Sequence, residues 1–323
     1  MEQVVGTPEP STPPERPIAL ETFNLSKRYR TGFWLTQRIQ SLQQVNLKVL
    51  EGETFGLLGQ NGAGKTTLLK TMLGIIKPSK GKAYLLGKPI GNRQVKQRVG
   101  YLPENPYFYD YLTGYEILKF SAGLFGIANG VSKKRIPELL ELVGLSQSDA
   151  RKKQLRQYSK GMLQRIGMAQ ALINDPDVLF LDEPMSGLDP LGRYQMREII
   201  VSLKDQGKTI FFNSHVLSDV EKICDKIAIL DKGELVCQGV IADLLGEAQG
   251  YRVKIRGGNP DMLKQRVQHL QFQDGLWVGH LKGDAQDFIA SLQLMRAQLE
   301  SIQLARPSLE EFFVQQIRDR GLA

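Results

Sequence analysis

Residues Gly59-Gln60-Asn61-Gly62-Ala63-Gly64-Lys65-Thr66 follow an apolar run, Thr54–Leu58, and open a helical stretch, Lys65–Leu73. They fit G-x-x-x-x-G-K-[ST], a pattern that holds phosphate when a strand precedes it and a helix follows. Glycines let the backbone curl until its N–H groups converge on phosphate oxygens. The helix N-terminus adds partial positive charge at the same place. Lys65 is expected to reach the β- and γ-phosphates of a nucleotide and Thr66 to offer its hydroxyl to Mg2+, with Thr67 next in the binding set. A plain glycine-rich turn needs neither the lysine nor the threonine.

A second signal lies downstream. Val178-Leu179-Phe180-Leu181-Asp182-Glu183 is an apolar strand ending in two carboxylates. Strand periodicity sends those carboxylates in different directions. In parallel α/β sheets, ligands sit outside the C-terminal strand ends. Asp182 is thus placed to hold Mg2+, and Glu183 to polarise a water that attacks the γ-phosphate.

Around these motifs the chain alternates β-branched or apolar runs with helical stretches, which predicts an α/β fold with a largely parallel sheet. Expected strands are Gln44–Val49, Thr54–Leu58, Val99–Leu102, Val178–Leu181, Thr209–Asn213 and Ile227–Asp231. Expected helices are Lys65–Leu73, Gly114–Phe125, Lys134–Val143, Gly161–Ile173, Pro190–Gln206 and Val216–Cys224. Three segments are expected: a disordered tail over residues 1–17, with five prolines; a nucleotide-binding domain over 18–245; and a small α+β domain over 246–323. The last reads β-α-β-α-β-α: strand Tyr251–Arg256, helix Pro260–Leu270, strand Gly275–Leu281, helix Ala285–Gln298, strand Ile302–Ala305, helix Leu309–Ile317.

Composition narrows the class. The chain has 323 residues, 41% of them hydrophobic and 24% charged, as in ordinary globular proteins. No apolar run approaches the roughly 20 residues of a membrane helix, and the first residues lack the apolar core of an export signal. Two cysteines make no disulfide framework, and three scattered histidines make no zinc cluster. The net charge of +8 suits an anionic partner or a solvated surface equally. Its clusters are Lys133-Lys134-Arg135 and Arg151, Lys152, Lys153, Arg156 and Lys160.

Further motifs narrow the family. Tyr158-Ser159-Lys160-Gly161-Met162 opens a helix shortly before the acidic strand and resembles the signature of ABC ATPases, in a YSKGM form. Ser186-Gly187-Leu188-Asp189 is similar to the D-loop. Asn213-Ser214-His215 ends a strand where the switch histidine belongs. Val99–Glu104 sits at the Q-loop, and Tyr29 looks like the adenine-stacking aromatic, with Phe33 and Trp34 as nearby rivals. The resemblance covers about residues 18–241. It implies a P-loop NTPase of the ABC ATPase type, with a mixed sheet core and a helical signature subdomain.

The resemblance implies that ATP is sandwiched between two such domains. Ser159 and Gly161 form an anion cradle for the γ-phosphate held by the opposite subunit, and Asp189 acts across the interface. Lys65, Glu183 and His215 are then the catalytic set, His215 orienting the water. Glu104 replaces the usual Q-loop glutamine and is still a Mg2+ ligand by position. Lys160 adds a positive charge near the expected γ-phosphate site or faces solvent.

YSKGM, Glu104 and the tail Arg306–Phe313 resemble the ATP-binding subunits of ABC-2 type exporters, including drug- and sodium-extrusion systems. In that tail, Ser308 and Glu311 also read as a capping box. The implied partners are an integral membrane permease, docking at Asn105–Tyr115 and the helix beyond it, with an aromatic cluster Pro106, Tyr107, Phe108, Tyr109 and Tyr111, and a second copy or a paralogous ATPase. The implied location is peripheral, on the cytoplasmic face of the plasma membrane. No direct nucleic-acid contact is expected. A soluble ABC protein acting on ribosomes or DNA usually has two ATPase domains or a long coiled coil, and neither is present. A small-molecule kinase leaves the serine cradle, D-loop and switch histidine unexplained.

Overall fold

The computed structural model describes residues 16–31, 37–246, 250–281 and 283–319. The expected tail over 1–17 lies almost wholly outside them, as do Phe33 and Trp34.

The chain begins β1 (Ile18–Thr31), β2 (Gln37–Leu50), β3 (Thr54–Leu58), α1 (Lys65–Met72), β4 (Lys80–Leu85), β5 (Lys88–Pro89), α2 (Arg93–Lys96) and β6 (Val99–Leu102). A helical stretch follows: α3 (Gly114–Leu124), α4 (Asn129–Leu142), α5 (Gln147–Lys152), a 3-10 turn (Leu155–Gln157) and α6 (Lys160–Ala171). Next come β7 (Val178–Asp182), α7 (Pro190–Asp205), β8 (Thr209–Asn213), α8 (Leu217–Ile223), β9 (Lys226–Asp231), β10 (Glu234–Val240) and α9 (Ile241–Leu245). The remainder is β11 (Tyr251–Gly257), α10 (Pro260–Lys264), β12 (Val267–Gln273), β13 (Leu276–Leu281), α11 (Ala285–Leu294), β14 (Ala297–Leu304) and α12 (Leu309–Asp319).

A six-stranded sheet, ordered β10-β9-β3-β8-β7-β6, carries the phosphate-loop strand near its centre. Its pairs β3–β8, β3–β9, β7–β8 and β6–β7 are parallel. The strands β3, β7 and β8 are buried along their whole length, the pattern of strands covered on both faces. Phe55, Phe180 and Phe211 fill the core between them, with Phe55 stacked on Phe211 at 5.7 Å. A second, antiparallel sheet, β2-β1-β4-β5, is only partly legible in the sequence. Its long strands are bulged, with register shifts along β1–β2 and left-handed Asn24 and Gln44. Those irregularities break the alternation by which a strand is read from sequence. The helix α6 packs closely on β6: a Cβ on Gly167 would lie 2.8 Å from the Leu102 side chain.

The chain divides into two compact units, one reaching His215 and resuming over Ile223–Cys237, the other comprising Val216–Lys222 and the chain from Gln238 onward. The later cut falls within β10, between Cys237 and Gln238. Within the second unit, Arg306 donates to the carbonyls of Ile241 and Ala242, tying α9 to the chain ahead of α12.

That unit contains an antiparallel sheet ordered β12-β13-β11-β14. Its element order from β11 to β14 is β-α-β-β-α-β, a ferredoxin-like arrangement. This corrects the expected β-α-β-α-β-α. The apolar spacing Leu263, Val267, Leu270 mimics a helix, but α10 stops at Lys264 and Val267–Gln273 is a strand. Its register shift and left-handed His269 hide the alternation. Likewise Phe288, Leu292 and Met295 are spaced as a helix, yet Arg296 at φ 50° ends it and Ala297–Leu304 pairs with β11.

Candidate nucleotide-binding site

The loop between β3 and α1 carries the first group. Gly59 and Gly64 adopt φ 155° and 105°, and at Gly64 an added Cβ would run into the Ser41 carbonyl oxygen. Only glycine fits there. Ala63 N–H donates to Gln60 O (3.1 Å) and Gly233 N–H to Ala63 O (2.9 Å), fixing the curl. Gln60, Asn61, Gly62 and Thr66 are exposed or nearly so, leaving the loop's outer edge open. The first N–H groups of α1 have no intrahelical partner. Ser41 Oγ donates to Thr67 Oγ1 at 2.9 Å.

Lys65 is buried, and its Nζ donates to the carbonyls of Gly59 (2.6 Å) and Gln60 (3.3 Å). Burial lowers its pKa below the ordinary value, opposed by the charges of Glu183, Asp182 and Glu104. Those three carboxylates lie near enough for their charge to act on the lysine. Asp182 is buried at the end of β7, where it pairs with Asn213 of β8. Its Oδ1 accepts from Asn213 Nδ2 at 2.5 Å. Burial raises its pKa, the Asn213 hydrogen bond opposes this, and Glu183 and Glu104 add to the rise. Tyr101 on β6 feels the same carboxylate: burial, then Asp182, push its pKa to about 12.

Glu183 stands just past the strand at φ 50°, a costly conformation for a side-chain-bearing residue and one that clusters at functional sites. Its N–H donates to Asn213 O at 2.9 Å. Its Oε2 lies 2.7 Å from His215 Nδ1 and accepts from His215 N–H at 3.3 Å. Adjacent parallel strands thus bring together a carboxylate and an imidazole 32 residues apart. The His215 side chain remains 57% exposed, free to face a ligand.

The fit to Mg2+ rests on oxygen donors: the exposed Thr66 hydroxyl, Asp182 and Glu104. Among the described residues no three His, Cys, Asp or Glu gather into a metal site. Mg2+ keeps several waters and binds through one or two carboxylates plus phosphates, so this sparse set suits it. Asn213 Oδ1 is buried without a hydrogen-bond partner beside Asp182, an acceptor that a water on such a cation would satisfy.

The signature residues sit elsewhere. Tyr158 is buried, and a Cβ on Gly114 would lie 2.6 Å from its hydroxyl. Ser159 is the N-cap of α6, its Oγ accepting from Met162 N–H at 3.2 Å. A Cβ on Gly161 would meet Leu188 Cδ2 at 3.6 Å and Ser159 Oγ at 3.9 Å, ordinary contacts. Lys160 does not simply face solvent: its side chain lies over Gly187 of the D-loop stretch. Asp189 caps α7, accepting from Gly192 N–H at 2.9 Å. Among the described residues no hydrogen bond links Ser159, Gly161 or Asp189 to the phosphate loop.

Tyr29 is half-buried opposite Ile39, with Lys27 Nζ 5.1 Å from its ring centroid. It lines a cleft of about 820 Å3 with Arg28, Arg30, Arg38 and Gln40, and among the described residues no hydrogen bond or ring contact ties it to the loop. In the aromatic cluster, Tyr107 is 94% exposed and Tyr109 and Tyr111 are also exposed. Phe108 is instead buried and belongs to the core of its region. Phe120, on the helix beyond that stretch, is exposed and edge-on to Tyr109 at 6.2 Å, and joins the patch. Asn213, Tyr101 and Ser41 are neighbours of the site that sequence reasoning missed. Asn213, before Ser214-His215, and Tyr101, inside Val99–Glu104, stand in stretches the sequence singles out without a role of their own; Ser41 leaves no signal.

A phosphate loop on a parallel sheet, an acidic strand end beside it and a capped signature helix define the ABC class of P-loop ATPases. The family model described as ABC transporter matches residues 42–186. An uncharacterized ABC transporter ATP-binding protein of Synechocystis sp. is 58% identical, over 99% of this chain and 91% of that protein. The linearmycin resistance ATP-binding protein of Bacillus subtilis is 31% identical, over 84% of this chain and 91% of that one. A solved structure of an ATP-binding subunit of an ABC transporter matches with TM-score 0.62 and 30% identity, over 70% of this chain and 91% of that chain. The chain belongs to the ABC transporter ATP-binding proteins: it is an ATP-binding, ATP-hydrolysing subunit of an ABC transporter. No helix among the described residues is long and apolar enough to cross a membrane.

Proposed function

We propose that this chain powers an ABC-2 type exporter, closing on ATP as a dimer with a second copy or a paralogue while a separate membrane permease carries the cargo. The observation that carries the closure on ATP as a dimer is the open position at Gly161. The residue is not left-handed, and its own chain would accommodate a Cβ. A glycine there is explained by the close approach of a group from outside the chain. The ATP γ-phosphate on the partner's loop is that group, with Ser159 as the second donor and Asp189 reaching across.

Within one subunit, the amides of Gly59 to Thr67 cradle the phosphates. Lys65 exchanges its bonds to Gly59 and Gln60 for the β- and γ-phosphates. Glu183, released from His215, accepts the proton of the attacking water, and His215 turns its exposed ring to the γ-phosphate. Thr66, Asp182 and Glu104 would hold Mg2+, which when bound neutralises charge on the phosphate oxygens. Tyr29 stacks on adenine.

The patch of Tyr107, Tyr109, Tyr111 and Phe120 supports a permease docking face, since exposed aromatics in one place mark interfaces. The chain would then lie peripherally on the cytoplasmic face of the plasma membrane. The exporter branch rests on YSKGM, Glu104 and Arg306–Phe313, and a linearmycin resistance protein among the relatives is compatible with it. The test is affinity capture of tagged Glu183→Gln with ATP from gently solubilised membranes. One multi-span protein in stoichiometric amount is expected; capture of ribosomal or DNA-bound proteins with no membrane protein overturns the reading.

A further inference from the structure

The ferredoxin-like sheet is covered on one face. Val253, Ile255, Val267 and Leu281 of its strands form a core with Leu263 of α10 and Phe288 and Leu292 of α11. The intervening residues project from the other face. At one level, strand pairing aligns Gln268, His280, Arg252 and Gln303 across all four strands. No acid stands in that row.

His269 joins the row through an irregularity. The register shifts between Gln268 and Gln271, and His269 adopts φ 52°. Regular pleating would send Gln268 and His269 to opposite faces, whereas both line one cleft of about 700 Å3. A bulge re-aims a side chain in this way. The rings of His269 and His280 stand edge-on at 6.3 Å.

The rim comes from the chain entering α12. Arg306 is anchored by its bonds to Ile241 O (3.3 Å) and Ala242 O (3.1 Å), and among the described residues no carboxylate forms an ion pair with it. The one carboxylate lining the cleft, Glu311, is already engaged: it accepts from Ser308 N–H at 2.9 Å in the expected capping box. Among the described residues no hydrogen bond or ion pair engages the side chains of Arg252, His269 or His280. Two guanidiniums, two imidazoles and two carboxamides thus share the cleft with a single carboxylate, Glu311, which is held in the helix cap. An arginine fork matches phosphate and carboxylate oxygens, and the cleft has the size of small-molecule sites.

We propose that this cleft binds a small anionic ligand, whose phosphate or carboxylate group sits over Arg252, His280 and His269 and whose body fills the remaining volume. None of the ATPase chemistry above uses these residues, so the site offers the subunit a second ligand of its own.

The full chain holds three histidines, which makes their ring NMR signals a direct readout. His269→Gln and His280→Gln assign two of them, and His215 reports separately on the nucleotide site. Pyrophosphate and citrate are the probes. With at least one, the His269 and His280 signals should shift together and saturate, with a dissociation constant of about 1 mM or tighter. Arg252→Glu should weaken that binding at least tenfold while leaving melting temperature and probe-free ATP turnover unchanged. Shifts that stay linear with both probes well past that range overturn the proposal. So do saturable shifts that Arg252→Glu leaves unaltered.

Discussion

Replacing Gly161 by alanine separates a glycine needed by its own fold from one needed by a partner. A Cβ at Gly161 would sit 3.6 Å from Leu188 Cδ2 and 3.9 Å from Ser159 Oγ, with no clash and no positive φ to relieve. Gly161 lies in the first turn of α6, where alanine is the better helix former by up to about 1 kcal/mol. Gly161→Ala should therefore leave unfolding free energy unchanged or raise it by up to ~1 kcal/mol. Gly64→Ala is the contrast. Its φ is 105° and its Cβ would meet the Ser41 carbonyl oxygen, with Leu230 and Leu42 side chains at 3.2 Å. Loss of about 2–4 kcal/mol is expected there. Urea titration followed by circular dichroism measures both. The decisive assay is sedimentation of the Glu183→Gln chain with ATP. Adding Gly161→Ala should weaken its dimer at least tenfold, about 1.4 kcal/mol. A normal ATP-bound dimer would refute the cradle, and a large loss of monomer stability would show that α6 itself requires the glycine.

Glu183→Gln should retain ATP binding while hydrolysis falls by about 10²–10⁴; turnover near wild type in a phosphate-release assay removes Glu183 from the catalytic role. Ser159→Arg should spare nucleotide binding by the monomer and abolish ATP-driven dimerisation, read by fluorescent-nucleotide titration beside sedimentation. Tyr29→Ala should weaken ATP binding by about 1–3 kcal/mol and Tyr29→Trp should restore it; equal affinity in all three places adenine elsewhere. Burial holds the Lys65 pKa below its ordinary 10.5, so the unfolded chain keeps that proton better and wild-type stability rises as pH climbs between the folded value and 10.5. Lys65→Met should lose ATP binding, melt higher than wild type at pH 7 without nucleotide, and show a flatter alkaline profile; a lower melting point contradicts the burial cost.

What is legible in the sequence tracks how local each signal is. The phosphate loop, the strand β3 and the helix α1 are set by consecutive residues whose types each have one physical explanation, and they appear where their pattern puts them. The buried parallel strands are readable as apolar runs for the same reason. The bulged strands are not. In β12 the left-handed His269 breaks the alternation, and helical spacing of Leu263, Val267 and Leu270 wins the reading until cross-strand pairing overrides it. The same break puts His269 beside His280, so the proposed anion cleft is hidden by the irregularity that builds it. At the candidate nucleotide site, residue types are legible and their couplings are not. Asp182 and Glu183 can be read from an apolar strand ending in acids. Only the adjacency of β7 and β8 makes Asn213 the partner of one and His215 the partner of the other. That division sets the two carboxylates apart. The buried Asp182 is locked to an amide in the sheet, whereas Glu183 leans on an exposed imidazole.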